Sequence, residues 1–193
     1  MMRLNVEKCK VLHVGRNNPR TPYFMMDSSS ETRRELAKTD LERDLGVYVS
    51  HDLKHRGQVA QAANKADRML GILKRTFTHR GIDLWKKLYI TYVRPQLEFA
   101  VSAWNPYQKG DTKVLEDVQH RATKVAHDLS GKPYEERLKL LGLTSLKERR
   151  VRGDLIQWFK IVNGFDHVSW MSEPRIGHAR LGTRRQYILE NVN

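Results

Sequence analysis

The feature that most constrains this chain is a change of hydrophobic period near residue 56. Before it, short apolar and β-branched runs are cut by turn residues. Lys10-Val11-Leu12-His13-Val14 closes on Gly15 and Asn17-Asn18-Pro19, and Tyr23-Phe24-Met25-Met26 closes on Asp27-Ser28-Ser29-Ser30. Leu45-Gly46-Val47-Tyr48-Val49 is the third such run. These runs predict three short strands, with 23–26 as the partner of 10–14. Three short strands without helices are marginal by themselves. After residue 56, Val59, Ala62, Ala63, Ala66, Met69, Leu70, Leu73 and Phe77 recur at steps of three and four. Only a helix gathers that spacing on one side.

The helical period persists for a hundred residues. The first helix is expected to stop near His79-Arg80-Gly81, and Ile82, Trp85, Leu88, Tyr89, Tyr92 and Val93 form a second stripe. Pro95 is expected to break or kink it, since its ring clashes with the preceding turn. Leu97, Val101 and Trp104 continue on a new axis up to Asn105-Pro106. A third helix starts near Asp111 or Thr112, carries Leu115, Val118, Ala122, Val125 and Leu129, and ends at Gly131. Pro133 opens a short helix to Leu141, with Gly142 as its stop. Ser145-Leu146-Lys147-Glu148 matches a capping box. It opens a last helix bearing Leu146, Leu155, Phe159 and Val162, stopped at Asn163-Gly164. The expected fold is mainly α: a helical bundle with a small N-terminal antiparallel β element. The expected organisation is a β element over 1–53, a helical domain over 54–166 and a loose basic tail over 167–193.

Charge narrows the partners. The chain of 193 residues carries a net +13, and residues 54–102 alone hold ten basic and three acidic side chains. Folding does not need such an excess, and self-repulsion opposes it. An anionic partner accounts for it, nucleic acid first and a membrane surface second. No stretch is long and apolar enough for a spanning helix, and a single cysteine, Cys9, excludes an internal disulfide. The chain reads as intracellular, without a membrane partner; nucleus and cytoplasm are equally open. Lys65, Arg68 and Arg75 fall on one face of the first long helix, opposite part of its apolar stripe. Lys113, His120, Lys124 and His127 do the same on the third helix, with Arg121 beside them. Such rows follow a phosphate backbone and give salt-sensitive, sequence-independent affinity. A solvated helix face is the plainer reading of any one of these charges.

Other chemistries leave little trace. Two-metal polymerases and nucleases need clustered carboxylates, and no Asp-Asp pair follows an aromatic here. Glu135-Glu136 opens a predicted helix, where it complements the dipole. His51 and His55 stand four apart, but no Glu follows His51, so the His-Glu-x-x-His metal signature fails. Cys9 is expected in a strand, buried rather than nucleophilic.

The order of segments resembles a known family. Asn5-Val6-Glu7-Lys8-Cys9-Lys10-Val11-Leu12-His13-Val14-Gly15 is similar to the end of the palm in non-LTR retrotransposon (LINE and jockey-like) reverse transcriptases. Asp44-Leu45-Gly46-Val47, Lys65-Ala66-Asp67-Arg68-Met69-Leu70-Gly71, Tyr92-Val93-Arg94-Pro95-Gln96-Leu97-Glu98, Trp104-Asn105-Pro106 and Val118-Gln119-His120-Arg121-Ala122-Thr123-Lys124 resemble later segments of that family, in order. The likeness runs from about residue 4 to 166, with weaker traces to 180. It implies that the late palm strands form a primer-gripping hairpin and the following helices a thumb around the template–primer duplex. It implies RNA-directed DNA polymerase (nucleotidyltransferase) activity with Mg2+ in the parent protein. Lys8 would correspond to the palm lysine that assists pyrophosphate departure as a general acid.

The fingers, both aspartate motifs and the endonuclease domain of that family have no counterpart in these residues. The expectation is therefore a truncated, inactive reverse transcriptase without a cofactor of its own, whose thumb still binds RNA, DNA or an RNA–DNA hybrid. The competing readings are an inert remnant, a protein-interaction module, and a subunit that works with a separate palm-bearing polypeptide.

Overall fold

A computed structural model describes residues 5–27, 32–169, 176–178 and 185–187. The turn expected at Ser28–Ser30 and most of the expected tail lie outside the described residues. The chain is mainly α-helical with a small N-terminal β element, the class its hydrophobic periods imply. Two compact units are distinguished, Met1–Asp154 and Leu155–Asn193.

The β element of the first unit is built from pairs of strands. Strand β1 (Lys10–Leu12) follows a 3-10 turn at Val6–Lys8, and β2 (Phe24–Asp27) pairs antiparallel with β3 (Thr32–Glu35). The expected partnership of 10–14 with 23–26 is not formed: β1 runs parallel to β4 (Ala37–Thr39). The loop between them explains this. The Asn18 side-chain amide donates to Val14 O at 3.0 Å and its oxygen accepts from Arg20 N at 2.9 Å, with Arg20 at φ 51°. That turn sends the chain away, and β2 closes on its nearer neighbour β3, the shorter loop. Cys9 is half-buried in the turn ahead of β1, neither within a strand nor fully buried.

Strand β5 (Leu41–Asp44) and β6 (Val47–Ser50) form a hairpin. The run Leu45–Val49 is thus split, because Leu45 and Gly46 are the turn itself, at φ 45° and 91°. Two positive φ values make the primed turn whose twist suits a two-residue hairpin. This hairpin meets the helices. The Gln58 side chain accepts from Tyr48 N at 2.9 Å, and a Cβ on Gly57 would come within 2.9 Å of Leu41 Cδ1.

Helix α1 (Arg56–Thr76) buries Val59, Ala62, Ala63, Ala66, Leu70 and Leu73. It ends at Thr76, a little before the stop expected near 79–81, and Arg80 takes up carbonyls at that end, donating to Phe77 O at 2.9 Å and Lys74 O at 2.8 Å. Helix α2 (Ile82–Leu88) widens into a π turn at Tyr89–Val93 and resumes as α3 (Arg94–Glu98). Pro95 therefore does not break the helix. The Arg94 N–H reaches back to Tyr89 O, and the widened turn accommodates a ring that an α-helical turn would not. Tyr92, expected in the core stripe, is exposed. A left-handed Ala100 (φ 51°) starts the new axis of α4 (Val101–Trp104).

Helix α5 (Lys109–Thr123) starts a little before the expected Asp111 and ends well before Gly131. Side chains from other elements take its last carbonyls. Trp85 Nε1 donates to Ala122 O at 2.8 Å, and Arg137 Nη1 to His120 O at 2.9 Å. His127 N then turns to Arg80 O at 2.9 Å, so Val125 and Leu129 lie beyond the helix. Helix α6 (Tyr134–Leu141) ends on Gly142 at φ 60°, as its sequence implies. Helix α7 (Leu146–Val162) opens with the capping box in full: Glu148 N donates to Ser145 Oγ at 3.2 Å and Ser145 N to Glu148 Oε2 at 3.3 Å.

The core of the first unit joins α1, α2, the π turn, α3, α5 and α6. At its centre Gln119 is fully buried and fully used. Its Oε1 accepts from Tyr89 Oη at 2.6 Å, and its Nε2 donates to Tyr134 Oη at 2.9 Å and Thr144 O at 3.0 Å. The second unit holds the end of α7 and the antiparallel pair β7 (Ile176–His178) and β8 (Arg185–Tyr187), strands where a loose tail is expected. Leu155, Phe159 and Val162, expected on the apolar stripe of α7, are exposed.

Candidate nucleic-acid interface

Helix geometry, at about 100° per residue, sets Arg68 and Arg75 almost opposite the buried stripe of α1, with Lys65 nearer its edge. The burial pattern agrees: Arg68 and Arg75 are exposed and Lys65 is half-buried. The two arginines, with Asn64, Asp67, Gly71 and Ile72, line a shallow groove of about 650 Å³. A Cβ at Gly71 would meet only Arg75 Nη1, at 3.9 Å, so the groove floor is open. Among the described residues Lys65, Arg68 and Arg75 form no salt bridge.

The residues of α5 do not act as one row. Arg121 leans toward α1, where its Nη2 lies 2.7 Å from Asp67 Oδ2. Asp67 lines the groove, and the pair offsets the charge of Arg121 beside it. Lys124 is exposed just past the helix end. Lys113 is exposed too, but eleven residues earlier, about 16 Å along the axis. It belongs to a different cleft, with Lys109, Lys147 and Arg150. His127 stands beyond the helix, its ring 6.1 Å from that of His79.

His120 adds no charge at neutral pH. Desolvation, then the positive charges of Arg137 and Lys124, hold its imidazole below the usual 6.5. Its Nε2 is 3.2 Å from Arg137 Nη2. Guanidinium has no acceptor, so this nitrogen must accept, and the proton sits on Nδ1. Arg137 is itself buried, sharing its donors among His120 O, Thr123 Oγ1 and the His120 ring.

Lys8 is exposed at the end of the 3-10 turn, remote in sequence from the α1 groove. Among the described residues no group of three His, Cys, Asp or Glu side chains is placed to hold a metal ion, and His51 and His55 lie outside any helix. The Mg2+ implied for the parent activity thus has no fitting donor set there. Among the described residues no helix is long and apolar enough to cross a membrane. The positions that sequence reasoning missed are Lys109 on α5 and Lys147 and Arg150 on α7, which line one cleft only because the two helices pack.

Comparison with known proteins yields one relative of note. An uncharacterized protein of Caenorhabditis elegans, B0403.1, is 27% identical over 127 residues, 64% of this chain and 64% of the relative. The chain therefore spans less than two thirds of that relative, whose description carries no activity. No family model matches. No solved structure matches.

Proposed function

We propose that the helical part of this chain binds nucleic acid through phosphate contacts, in the way the thumb of a non-LTR reverse transcriptase holds its duplex. The observation that carries the reading is the groove on α1 lined by Arg68 and Arg75, which form no salt bridge among the described residues, with Lys65 on the adjoining side of the helix. Uncommitted guanidinium groups are suited to phosphate oxygens. The excess of seven positive charges over residues 54–102 supplies the long-range attraction. Contacts to phosphate carry no sequence information, so RNA, DNA and an RNA–DNA hybrid all qualify as partners.

The test is a fluorescent RNA–DNA hybrid titrated with the wild type and with Lys65→Ala/Arg68→Ala/Arg75→Ala/Lys124→Ala. The expected result is a loss of affinity above tenfold with the helical circular dichroism unchanged. Arg121→Ala is expected to cost less, because Asp67 already offsets that charge. Unchanged affinity in the fourfold variant contradicts the reading.

A second reading has its own observation. Tyr23, Phe24 and Met26 are exposed on the β element, and such side chains suit docking to another protein, for instance a separate palm-bearing polypeptide. That association would depend little on salt.

A further inference from the structure

We propose that the cleft between the first turns of α5 and α7 is a second, separate site, which binds a nucleoside 5′-phosphate, free or at the end of a strand. The cleft has a volume of about 640 Å³ and lies wholly within the first unit. That is the size range of small-molecule sites. Four of its lining residues are cationic, Lys109, Lys113, Lys147 and Arg150, against one carboxylate, Glu116. The positive ends of two helices of 15 and 17 residues contribute to its walls, and such ends favour an anion.

Arg150 makes the cleft more than a basic patch. It is 97% buried by its 3% exposure, yet among the described residues neither Nη1 nor Nη2 has a hydrogen-bond partner. An unpartnered buried guanidinium is costly, and a phosphate offers the acceptors its fork requires. Burial pushes its pKa down, while Glu116, Glu98 and Asp154 push it up. Glu116, which also lines the cleft, shows the complementary need. Its Oε1 accepts from Tyr134 Oη at 2.5 Å and from Leu146 N at 3.3 Å, but among the described residues its Oε2 has no partner. It requires a donor, such as a ribose hydroxyl or an exocyclic amine. The remaining wall is largely apolar and includes the Tyr107 ring, a surface for a flat base. An anion, a donor and a flat ring in one ligand describe a nucleoside phosphate. This site does not depend on duplex binding along α1.

The experiment is calorimetric titration of the whole chain with AMP, adenosine and inorganic phosphate, and with one oligonucleotide bearing a 5′-phosphate or a 5′-hydroxyl. AMP is expected to bind saturably and at least tenfold tighter than adenosine or phosphate alone. If the site serves strand ends, the 5′-phosphate oligonucleotide outcompetes AMP and its 5′-hydroxyl form does not. Arg150→Gln is expected to lower AMP affinity more than tenfold. Should that variant unfold, Lys109→Ala/Lys147→Ala, at two exposed positions, decides by a drop of severalfold. The proposal is overturned if no phosphorylated ligand saturates the wild type, if phosphate alone binds as well as AMP, or if folded cleft variants bind AMP unchanged.

Discussion

The helical bundle and the β element of the first unit solve the same problem unequally. In the bundle Trp85, Tyr89, Leu97, Trp104 and Leu115 are essentially inaccessible to water. In residues 5–53 Val6 alone among the described residues is buried, while Tyr23, Phe24 and Met26 are 44–60% exposed. Two-stranded pairs have no second layer to cover their apolar face. The bundle folds around its own core; the β element is held by a few attachments, such as Gln58 to Tyr48 N and Gly46 against Phe99.

The sharpest break in that contrast is a matched pair of truncations. Trp104→Ala should cost about 3–5 kcal/mol, the usual loss for an aromatic deleted from a core. Phe24→Ala should stay within about 0.5 kcal/mol, as exposed substitutions do. Urea unfolding of the two variants measures both, and similar losses would erase the distinction. Gln119→Leu comes next, at about 3 kcal/mol, because the Tyr89 hydroxyl and Thr144 carbonyl lose their partner inside the core. Gly46→Ala should cost about 1–2 kcal/mol by its left-handed φ, with the new Cβ 3.0 Å from the Phe99 ring. Its effect should appear as weaker amide protection of β5 and β6, with α1 and α5 untouched.

The two regions should also differ in pH response. Burial raises the phenol pKa of Tyr89, and burial with the Glu116 hydrogen bond raises that of Tyr134, both from 10.0. A raised folded-state value means stability is complete below pH 10 and declines as pH rises beyond it toward the folded value. That alkaline loss belongs to the bundle, and tyrosinate absorbance should follow unfolding in a pH titration. On the acid side, hydrogen bonds from Ser50 and Lys54 lower Asp52 from 3.8 to about 2. Its contribution is present above 3.8 and lost as pH falls through about 2. The effect is the smallest of the set, and Asp52→Asn should abolish it.

The same division explains what was legible in the sequence. The α1 stripe, the Gly142 stop and the Ser145–Glu148 box are local patterns, and each formed as read. The strand partners were not legible, because Asn18 and the Leu45-Gly46 turn decide them through backbone geometry. The end of α5 depends on Trp85 and Arg137 arriving from other elements. At the candidate interface, a helical wheel groups Lys113, His120 and Lys124 but cannot know that Asp67 pairs with their neighbour Arg121. Nor does any local pattern mark Arg150, whose surroundings arise only when α5 and α7 pack together.

The most direct test of the account is the salt dependence of binding to an RNA–DNA hybrid by the wild-type chain. If Lys65, Arg68, Arg75 and Lys124 each neutralise a phosphate, log affinity should fall against log salt with a slope of about −3 to −4, scaled from B-DNA. A slope shallower than about −1, or no binding at low salt by the folded protein, contradicts a surface that tracks phosphates.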